Sequence, residues 1–343
     1  MSRPPSIAAV DVGGTTMKGA VFTAAGDLVV ARTVATFGPD GSALTGLLDL
    51  LHDLVDAADD AGLHPSAIGI SSPGIVDAAS GTIAYAANLG WRSLPLARLL
   101  EEEFAMPVAV EHDARSGAQA ELTALSGADA EHAVFLPIGT GIGAAMITNG
   151  AVVRGATGAA GEVGHIPVVP GGEPCACGQL GCLEVYASAA GIRSRYLAIG
   201  GTAARTTAEL AGSLHSDPRA ATVWDEAVDA LAAGIVSMTA TLDPAVVVIG
   251  GGLGMAGDTL LLPLRRRVQQ LLTWRQPPRL LPSAFGPHSS IVGVALLALD
   301  PPAGEQRGFA ARAGDCLSGT AHRRGRAPQS RDIAAARCAS RST

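Results

Sequence analysis

Short apolar runs separated by glycine-rich turns open the chain. Residues 7–12, 17–22 and 28–34 are apolar and turn residues separate them, so the pattern predicts a three-stranded meander. Residues 133–150 repeat this plan, with an apolar strand, a Gly-Thr-Gly turn and a returning strand. Because two hairpins share one plan, the sequence predicts an internal duplication.

Longer segments with helical or strand character lie between and after the hairpins. In residues 42–62, Leu47, Leu51 and Leu54 recur on one helical face, which predicts an amphipathic helix. Strand patterns and helical spacing elsewhere complete an α/β chain. Further strands are predicted over 67–77, over 108–114 and from residue 245, and further helices over 95–105, 114–125, 219–242 and 289–299.

The chain is 343 residues long, which is more than one core usually organises, so two domains are predicted. We expect an N-terminal α/β domain over 1–114, joined by the closing helix at 289–300. A larger C-terminal α/β domain would occupy 115–288. Residues 301–343 lack apolar periodicity and hold eight Arg against three acidic residues, so we predict a disordered, Arg-rich tail.

Composition narrows the class of protein further. Hydrophobic residues make up 48% of the chain and mean hydropathy is +0.31, which is ample for a buried core. The formal net charge of −7 argues against a general nucleic-acid binder. No run approaches the ~18 apolar residues of a membrane helix, and the start lacks the apolar core of a signal peptide. We therefore expect a cytoplasmic protein with no nucleic-acid or membrane partner.

An array of four potential metal ligands lies between residues 162 and 184. His165, Cys175, Cys177 and Cys182 follow the spacing H-x9-C-x-C-x4-C, and glycines between them allow the chain to wrap tightly. Zinc prefers four ligands in a tetrahedron and accepts imidazole and thiolate readily. The array therefore predicts a zinc site, with a disulfide pair and one spare thiol as the alternative. Glu162 and Glu184 lie close to His165 and Cys182 in the sequence, so a metal that fixes these two ligands would also fix the positions of both carboxylates.

The first glycine-rich turn carries groups suited to a phosphate. Gly13 and Gly14 would present backbone N–H groups to an anion, and Thr15 and Lys18, the only lysine of the chain, add donors. Asp11 could hold a hydrated magnesium ion. Taken alone, such a turn is equally typical of an ordinary hairpin.

The second hairpin presents Gly139, Thr140 and Gly141 in the same way. Two such hairpins at a common cleft would grip the phosphates of a nucleotide from both sides, as in the actin, hexokinase and Hsp70 superfamily. Later, Gly250–Gly252 join a strand to a helix, where bare backbone would let a base and ribose approach. A dinucleotide fingerprint is the alternative, but no repeated βαβ units surround these glycines.

Asp113 lies where a predicted strand ends and a predicted helix begins. This is the face at which α/β proteins bind ligands, so Asp113 is a candidate catalytic acid or base. Asp is also well suited to cap a helix, and the two roles are compatible.

These motifs together resemble the ROK family of sugar kinases and repressors, over roughly residues 7–299. The family's fold is a two-domain, actin-like α/β architecture with the sugar in the interdomain cleft and ATP and magnesium beside it. The motifs that carry the resemblance are DVGGTTMK (11–18), SPGIVD (72–77), ANLGW (87–91), VEHDA (110–114), IGTGIG (138–143), GEVGH (161–165), CACGQLGCLEVYAS (175–188) and VVVIGGGL (246–253).

The resemblance implies transfer of the γ-phosphoryl group of ATP to a hexose hydroxyl, usually the 6-hydroxyl, with Asp113 as the base. It also implies a homodimer or homotetramer. The sugar-binding positions are matched by Gly74, Asn88, His112, Asp113, Glu162, His165 and Glu184. The positions that face ATP and magnesium are matched by Asp11, Gly13, Gly14, Thr15, Lys18, Gly139, Thr140, Gly141, Gly250, Gly251 and Gly252.

One departure from the family bears on the substrate. Its sugar kinases usually have E-N-D-A-N where this chain has E-H-D-A-R at residues 111–115. The first Asn normally bonds sugar hydroxyls, and His112 is bulkier, so another hexose or an N-acetylhexosamine is the alternative to glucose. A sugar-binding regulator or pseudokinase is a second alternative. Family repressors carry a helix-turn-helix segment ahead of the kinase-like domain, whereas the first strand here begins near Ile7, so we expect an enzyme.

Overall fold

The structure, a computed structural model, describes residues 5–202 and 206–323. These residues form two compact units. The first unit contains the described residues up to Ala124 and those from His288 onward, and the second is Leu125–Pro287. The first unit thus extends past the predicted boundary at residue 114, because the helix that follows packs within it.

Thirteen strands and twelve helices make up the described part of the chain, where no helix combines the length and apolarity needed to span a membrane. The strands are β1 (Pro5–Val12), β2 (Thr16–Thr23), β3 (Leu28–Ala35), β4 (His64–Ser72), β5 (Ile75–Asp77), β6 (Thr82–Ala86), β7 (Trp91–Leu94), β8 (Val108–His112), β9 (His132–Pro137), β10 (Ala145–Thr148), β11 (Ala151–Val152), β12 (Val246–Gly250) and β13 (Arg279–Pro282). The helices are α1 (Ala43–Asp60), α2 (Leu96–Phe104), α3 (Asp113–Ala124), α4 (Ala128–Glu131), α5 (Leu183–Ala187), α6 (Ala189–Ala198), α7 (Thr207–Gly212), α8 (Pro218–Leu242), α9 (Gly251–Gly254), α10 (Asp258–Leu271), α11 (Ser289–Leu299) and α12 (Ala303–Arg323).

A five-stranded sheet in the order β3-β2-β1-β4-β8 forms the centre of the first unit. Strands β1, β2 and β3 are an antiparallel meander, whereas β4 and β8 run parallel to β1. The predicted meander is therefore confirmed. Helix α1 covers the sheet with the apolar face predicted from its spacing, and Leu47, Leu51 and Leu54 are fully buried.

The second unit repeats this arrangement. Its five-stranded sheet has the order β11-β10-β9-β12-β13. Strands β9, β10 and β11 are antiparallel neighbours, and β12 and β13 run parallel to β9. The two sheets share both strand order and strand direction, which confirms the predicted duplication.

Helix α8 is the longest helix of the second unit and lies in its core. The Asp217 side chain accepts hydrogen bonds from the backbone N–H groups of Arg219 and Ala220, and Pro218 occupies the first turn, where its missing N–H costs nothing. Asp243 ends the helix in the left-handed conformation, with φ +49°. The apolar spacing of residues 219–242 therefore predicted this helix correctly.

Helix α12 contradicts the prediction of a disordered tail over residues 303–323. The helix packs against α11, α3 and β3. The Phe309 ring meets the Phe22 ring edge to face at 5.9 Å, and Arg312 pairs with Asp27 at 3.3 Å. The prediction was wrong because the polar composition hid a helical stripe of buried residues at 309, 310, 313 and 317. The rest of the predicted tail, 324–343, lies outside the described residues.

Replacing Phe309 with Ala tests this packing. The Phe309 side chain is 3% exposed, so the variant should lower the free energy of unfolding by about 3 kcal/mol, as measured by urea denaturation. The control is Ser318→Ala on the exposed face of the same helix. Equal unfolding free energies for the two variants would show that α12 does not contribute to the core.

Candidate active site

Polar side chains of the first unit gather where three parallel strands end. The strand register aligns Asp11 of β1 with Ser71 of β4, and it aligns Ser71 with Glu111 of β8. The Ser71 hydroxyl donates a hydrogen bond to the Asp11 carboxylate at 3.0 Å. His112 ends β8, and Asp113 follows as the first residue of α3. The carboxyl edge of the sheet therefore brings two predicted site residues, Asp11 and Asp113, close together.

The electrostatics of Asp11 favour a cation. Burial raises the pKa of the Asp11 carboxyl, and the negative charge of Asp113 adds to this effect. Lys18, opposite Asp11 in the register, and the Ser71 hydroxyl lower that pKa. Two neighbouring carboxylates disfavour each other's ionised form, and a bound cation removes this cost. The edge is thus suited to a divalent ion.

The two carboxylate oxygens of Asp113 differ in their surroundings. The Oδ1 atom accepts a hydrogen bond from the Ala114 backbone N–H at 2.5 Å, and the Nε2 atom of His112 lies 3.3 Å from the same oxygen. No hydrogen bond joins Oδ2 to any described residue, and the Asp113 side chain is 41% exposed. One oxygen is therefore anchored while the other is open to a substrate.

His112 is almost fully buried beside this carboxylate, at 7% exposure. While Nε2 faces Asp113, the Nδ1 atom is buried and has no hydrogen-bond partner among the described residues. Buried polar atoms are nearly always hydrogen-bonded, and the exceptions are common at functional sites. His112 thus lies at the site and retains hydrogen-bonding capacity.

The first glycine-rich turn is a tight connection between β1 and β2. The Gly13 N–H donates to the Thr16 carbonyl at 3.0 Å, and a Cβ on Gly13 would lie 2.7 Å from that carbonyl oxygen. Gly14 and Thr15 are exposed. Asn88, in a short 3₁₀ turn, lies beside Gly14, since a Cβ there would be 3.7 Å from the Asn88 Cβ.

Gly74 lies between β4 and β5 at φ +99°, in the left-handed region. A Cβ at this position would collide with the Tyr85 carbonyl. Both facts restrict the position to glycine. The loop that contains Gly74 begins after Ser72, and Ser72 pairs with His112 in the sheet.

In the second unit, both predicted nucleotide segments lie at one sheet edge. The turn with Gly139, Thr140 and Gly141 follows β9, and Gly250 ends β12, its parallel neighbour. The Ile138 N–H donates to the Gly250 carbonyl at 3.1 Å. A Cβ on Gly139 or on Gly252 would meet nothing within 4 Å, so the backbone is open there.

Position 251, between Gly250 and Gly252, also requires glycine. It has φ +69°, and a Cβ would lie 2.5 Å from the Ile138 carbonyl oxygen. The two glycine segments therefore fit closely against each other while their outer backbone stays accessible.

Glu184 is hydrogen-bonded to the turn that contains Gly139, Thr140 and Gly141. Its carboxylate, on α5, accepts a hydrogen bond from the Ile142 N–H at 2.8 Å and lies 2.6 Å from where a Gly141 Cβ would be. Glu162 is exposed and immediately precedes the 3₁₀ turn Val163–His165. Both acids thus flank the segment that carries His165.

The four predicted metal ligands converge. One ligand atom from each of His165, Cys175, Cys177 and Cys182 lies within 4.8 Å of the others. The Cys177 and Cys182 sulfurs are 3.7 Å apart, and the Cys175 sulfur is 3.8 Å from His165 Nδ1. Tetrahedral zinc with bonds of about 2.3 Å to sulfur separates its ligands by about 3.8 Å. A disulfide, with sulfurs about 2.0 Å apart, does not match this geometry.

The thiols of the array differ in acidity. A hydrogen bond with the Gln179 backbone lowers the pKa of the exposed Cys177 thiol to about 7. Burial raises the pKa of the Cys182 thiol to about 12. A buried thiolate at Cys182 therefore needs a compensating cation, which the convergence of four soft ligands is suited to hold.

The structure divides the predicted site residues between the units. Sequence patterns did not indicate the roles of Ser71 and Thr36, whose hydroxyls bond Asp11 and the Gly13 carbonyl, because both pairs depend on contacts distant in the chain. The first unit contains Asp11, Gly13, Gly14, Thr15, Lys18, Gly74, Asn88, His112 and Asp113, and the second contains Gly139, Thr140, Gly141, Glu162, His165, Cys175, Cys177, Cys182, Glu184, Gly250, Gly251 and Gly252.

Known proteins match the chain over most of its length. A sequence model of the ROK family matches residues 7–301. A glucokinase of Halalkalibacterium halodurans is 38% identical over 284 residues, which cover 76% of this chain and 84% of that protein. An N-acetylmannosamine kinase of Escherichia coli is 32% identical over 293 residues, which cover 85% of this chain and 97% of that protein.

A solved structure agrees with these relatives. The ROK family glucokinase from Streptomyces griseus in complex with glucose and AMPPNP is 30% identical, with a TM-score of 0.73. The match covers 86% of this chain and 100% of that chain. The predicted actin-like α/β fold is therefore confirmed. The family model and the identity to its members confirm the resemblance seen in the motifs, and the chain belongs to the ROK family.

Proposed function

We propose that this protein is an ATP-dependent hexose kinase that phosphorylates the 6-hydroxyl of glucose, with Asp113 as the general base. The observation that carries the proposal is the Asp113 carboxylate, anchored through Oδ1 and open at Oδ2, at the edge that also holds Asp11. The glucokinase relatives and the bound glucose and AMPPNP in the Streptomyces griseus structure support the same reaction.

In this reaction the Asp113 Oδ2 atom accepts the proton of the sugar hydroxyl as its oxygen attacks the γ-phosphorus. A bond forms between that oxygen and the γ-phosphorus, the bond to the β-phosphate oxygen breaks, and ADP leaves. Phosphoryl transfer depends chiefly on positioning and on neutralising phosphate charge. A general base contributes about 10²–10⁴-fold. Anchoring Oδ1 keeps Oδ2 in place for this transfer.

Backbone N–H groups and a magnesium ion would neutralise the phosphates. Asp11 would hold the magnesium ion through water, since its half-buried carboxylate lies beside a second acid. The exposed glycine backbone supports phosphate binding at both turns and adenosine binding at the triple glycine. The residues assigned to ATP and magnesium are Asp11, Gly13, Gly14, Thr15, Lys18, Gly139, Thr140, Gly141, Gly250, Gly251 and Gly252.

Hydrogen-bonding side chains would bind the sugar. Carboxylates, an amide and imidazoles grip neighbouring hydroxyls through directed hydrogen bonds. The residues assigned to the sugar are Gly74, Asn88, His112, Asp113, Glu162, His165 and Glu184.

The Cys/His array would hold a structural zinc ion. Because Nδ1 of His165 faces the cysteines, the ion would fix this imidazole and leave Nε2 for a sugar hydroxyl. The metal then orients sugar-binding groups rather than activating water. A dimer or tetramer stays a prediction drawn from the family resemblance.

An N-acetylhexosamine is the second candidate substrate. The observation that favours it is His112, which replaces the family's Asn and keeps an unpaired, buried Nδ1. The N-acetylmannosamine kinase among the relatives agrees with this alternative. A regulator or pseudokinase is less well supported, because Asp113 and both glycine-rich turns are present.

Replacing Asp113 with Asn removes the base and preserves its size. We expect sugar-stimulated ADP release to fall by about 10²-fold or more, while calorimetry still detects sugar binding. Asp53→Asn, at an exposed acid of the same unit, is the control and should retain activity. The proposal fails if no hexose or N-acetylhexosamine stimulates ADP release from the zinc-loaded wild-type protein.

Replacing His112 with Asn tests the choice of sugar. Restoring the family's residue should raise kcat/KM for glucose relative to N-acetylmannosamine by about tenfold or more, because a single matched polar contact discriminates strongly between substrates. The measurement is a coupled ADP-release assay with both sugars. An unchanged ratio would show that His112 does not determine the substrate.

Replacing Cys177 with Ser tests the metal. The variant should lose zinc, measured by atomic absorption, and with it at least about tenfold in sugar affinity, measured by calorimetry. Cys316→Ser, outside the array, is the matched control. Undiminished sugar affinity in a zinc-free variant would show that the metal does not orient the sugar site.

A further inference from the structure

Arg115 is the largest fully buried side chain of the described residues and lies two positions after the candidate base. Its side chain is 1% exposed, and it pairs with Glu111, whose side chain is 3% exposed. The Arg115 Nε donates to Glu111 Oε1 at 2.8 Å. Burying a charged pair is costly unless its hydrogen bonds are well satisfied, so such a pair needs an explanation.

In the sequence, Asp113 lies midway between the two residues of this pair. Glu111 is the second-last residue of the edge strand β8, one residue before His112, and Arg115 lies in the first turn of α3. The same Oε1 atom of Glu111 also accepts the His112 backbone N–H at 2.8 Å. One carboxylate oxygen therefore joins the end of the strand to the start of the helix, with Asp113 between them.

Arg115 also reaches the loop that contains Gly74. Its NH2 group donates to the Val76 carbonyl at 3.1 Å. Val76 belongs to β5, the edge strand of the small sheet β5-β6-β7, and β5 begins directly after Gly74. The guanidinium thus connects the segment after Gly74 with the segment that carries His112 and Asp113.

We propose that Arg115 is a positioning residue that sets the distance between the Gly74 loop and the Asp113 carboxylate. This inference rests on the proposed function, in which Gly74 lies against the sugar and Asp113 takes its proton. Arg115 would act on both through its hydrogen bonds to Glu111 and to the Val76 carbonyl. A shift of about 1 Å between a substrate and a catalytic group can cost about 10²-fold in rate, so the connection has kinetic consequences.

The chemistry of the side chain explains why arginine occupies the position. Its planar guanidinium carries five N–H donors in a fixed fork, so one side chain can bond acceptors in two directions. Lysine offers a point charge on a flexible stem and matches this geometry poorly. Asparagine, the family's usual residue here, has a much shorter side chain.

The test compares Glu111→Gln/Arg115→Met with wild type. This double variant removes both charges and so avoids an unpaired buried carboxylate, while Arg115→Lys keeps the charge. We expect the double variant to raise KM for the sugar about tenfold or more and to lower kcat, with KM for ATP within about twofold. Arg115→Lys should recover part of the loss.

A second measurement does not depend on activity. Hydrogen exchange of the backbone amides in residues 74–77 should be about tenfold faster in the ligand-free double variant, because the segment has lost its attachment to α3. Arg98→Met is the matched control, since Arg98 forms an exposed i,i+4 pair with Glu102 at 2.7 Å in the same unit. This control should change neither exchange nor kinetics.

The outcomes separate the two proposals. Faster exchange together with a raised sugar KM supports the positioning role of Arg115. Exchange and sugar KM both equal to those of Arg98→Met overturn it, even if the double variant melts at a lower temperature. If wild type has no sugar-stimulated activity, the proposed function fails, and the exchange result alone decides: faster exchange supports the connection, and unchanged exchange overturns it.

Discussion

Parallel pairing of β1, β4 and β8 is the constraint on which the candidate site depends. Parallel strands end at the same edge of a sheet, so their last residues meet even when they are far apart in the chain. Here the register brings Asp11, Ser71 and His112 to that edge, and Asp113 follows at the start of α3. A slip of one residue in either pairing would turn these side chains to the opposite face and separate the two acids.

The second unit uses the same topology for different chemistry. Its parallel neighbours β9 and β12 end in glycine segments rather than acids, and the open backbone at Gly139 and Gly252 suits phosphates and a nucleoside. Glu184 connects this edge to the Cys/His array through the Ile142 N–H. Duplication of one sheet plan thus supplies two edges, one with carboxylates and one with open glycine backbone.

Two departures from the family's E-N-D-A-N motif lie on either side of Asp113. His112 and Arg115 both replace asparagine, and both are buried around Asp113. Arg115 forms an internal ion pair, whereas His112 keeps an unpaired nitrogen. Removing one partner of a buried pair costs about 3–5 kcal/mol, so Glu111 and Arg115 depend on each other. The surroundings of Asp113 therefore differ from the family's pattern, while the candidate base itself is retained.

The sequence alone determined the features that depend on local spacing. Apolar periodicity predicted the meander, α1 and α8, and the Cys/His array and the repeated glycine hairpins carried the family resemblance. Only the tertiary structure decided the contacts between distant segments, which include Ser71 with Asp11 and Arg115 with the Val76 carbonyl. It also decided the order of the α12 helix, because Phe309 becomes a core residue only when Phe22 lies against it. The physical reason is that local propensity acts over a few residues, whereas the register of a sheet and the burial of a side chain depend on the whole folded unit.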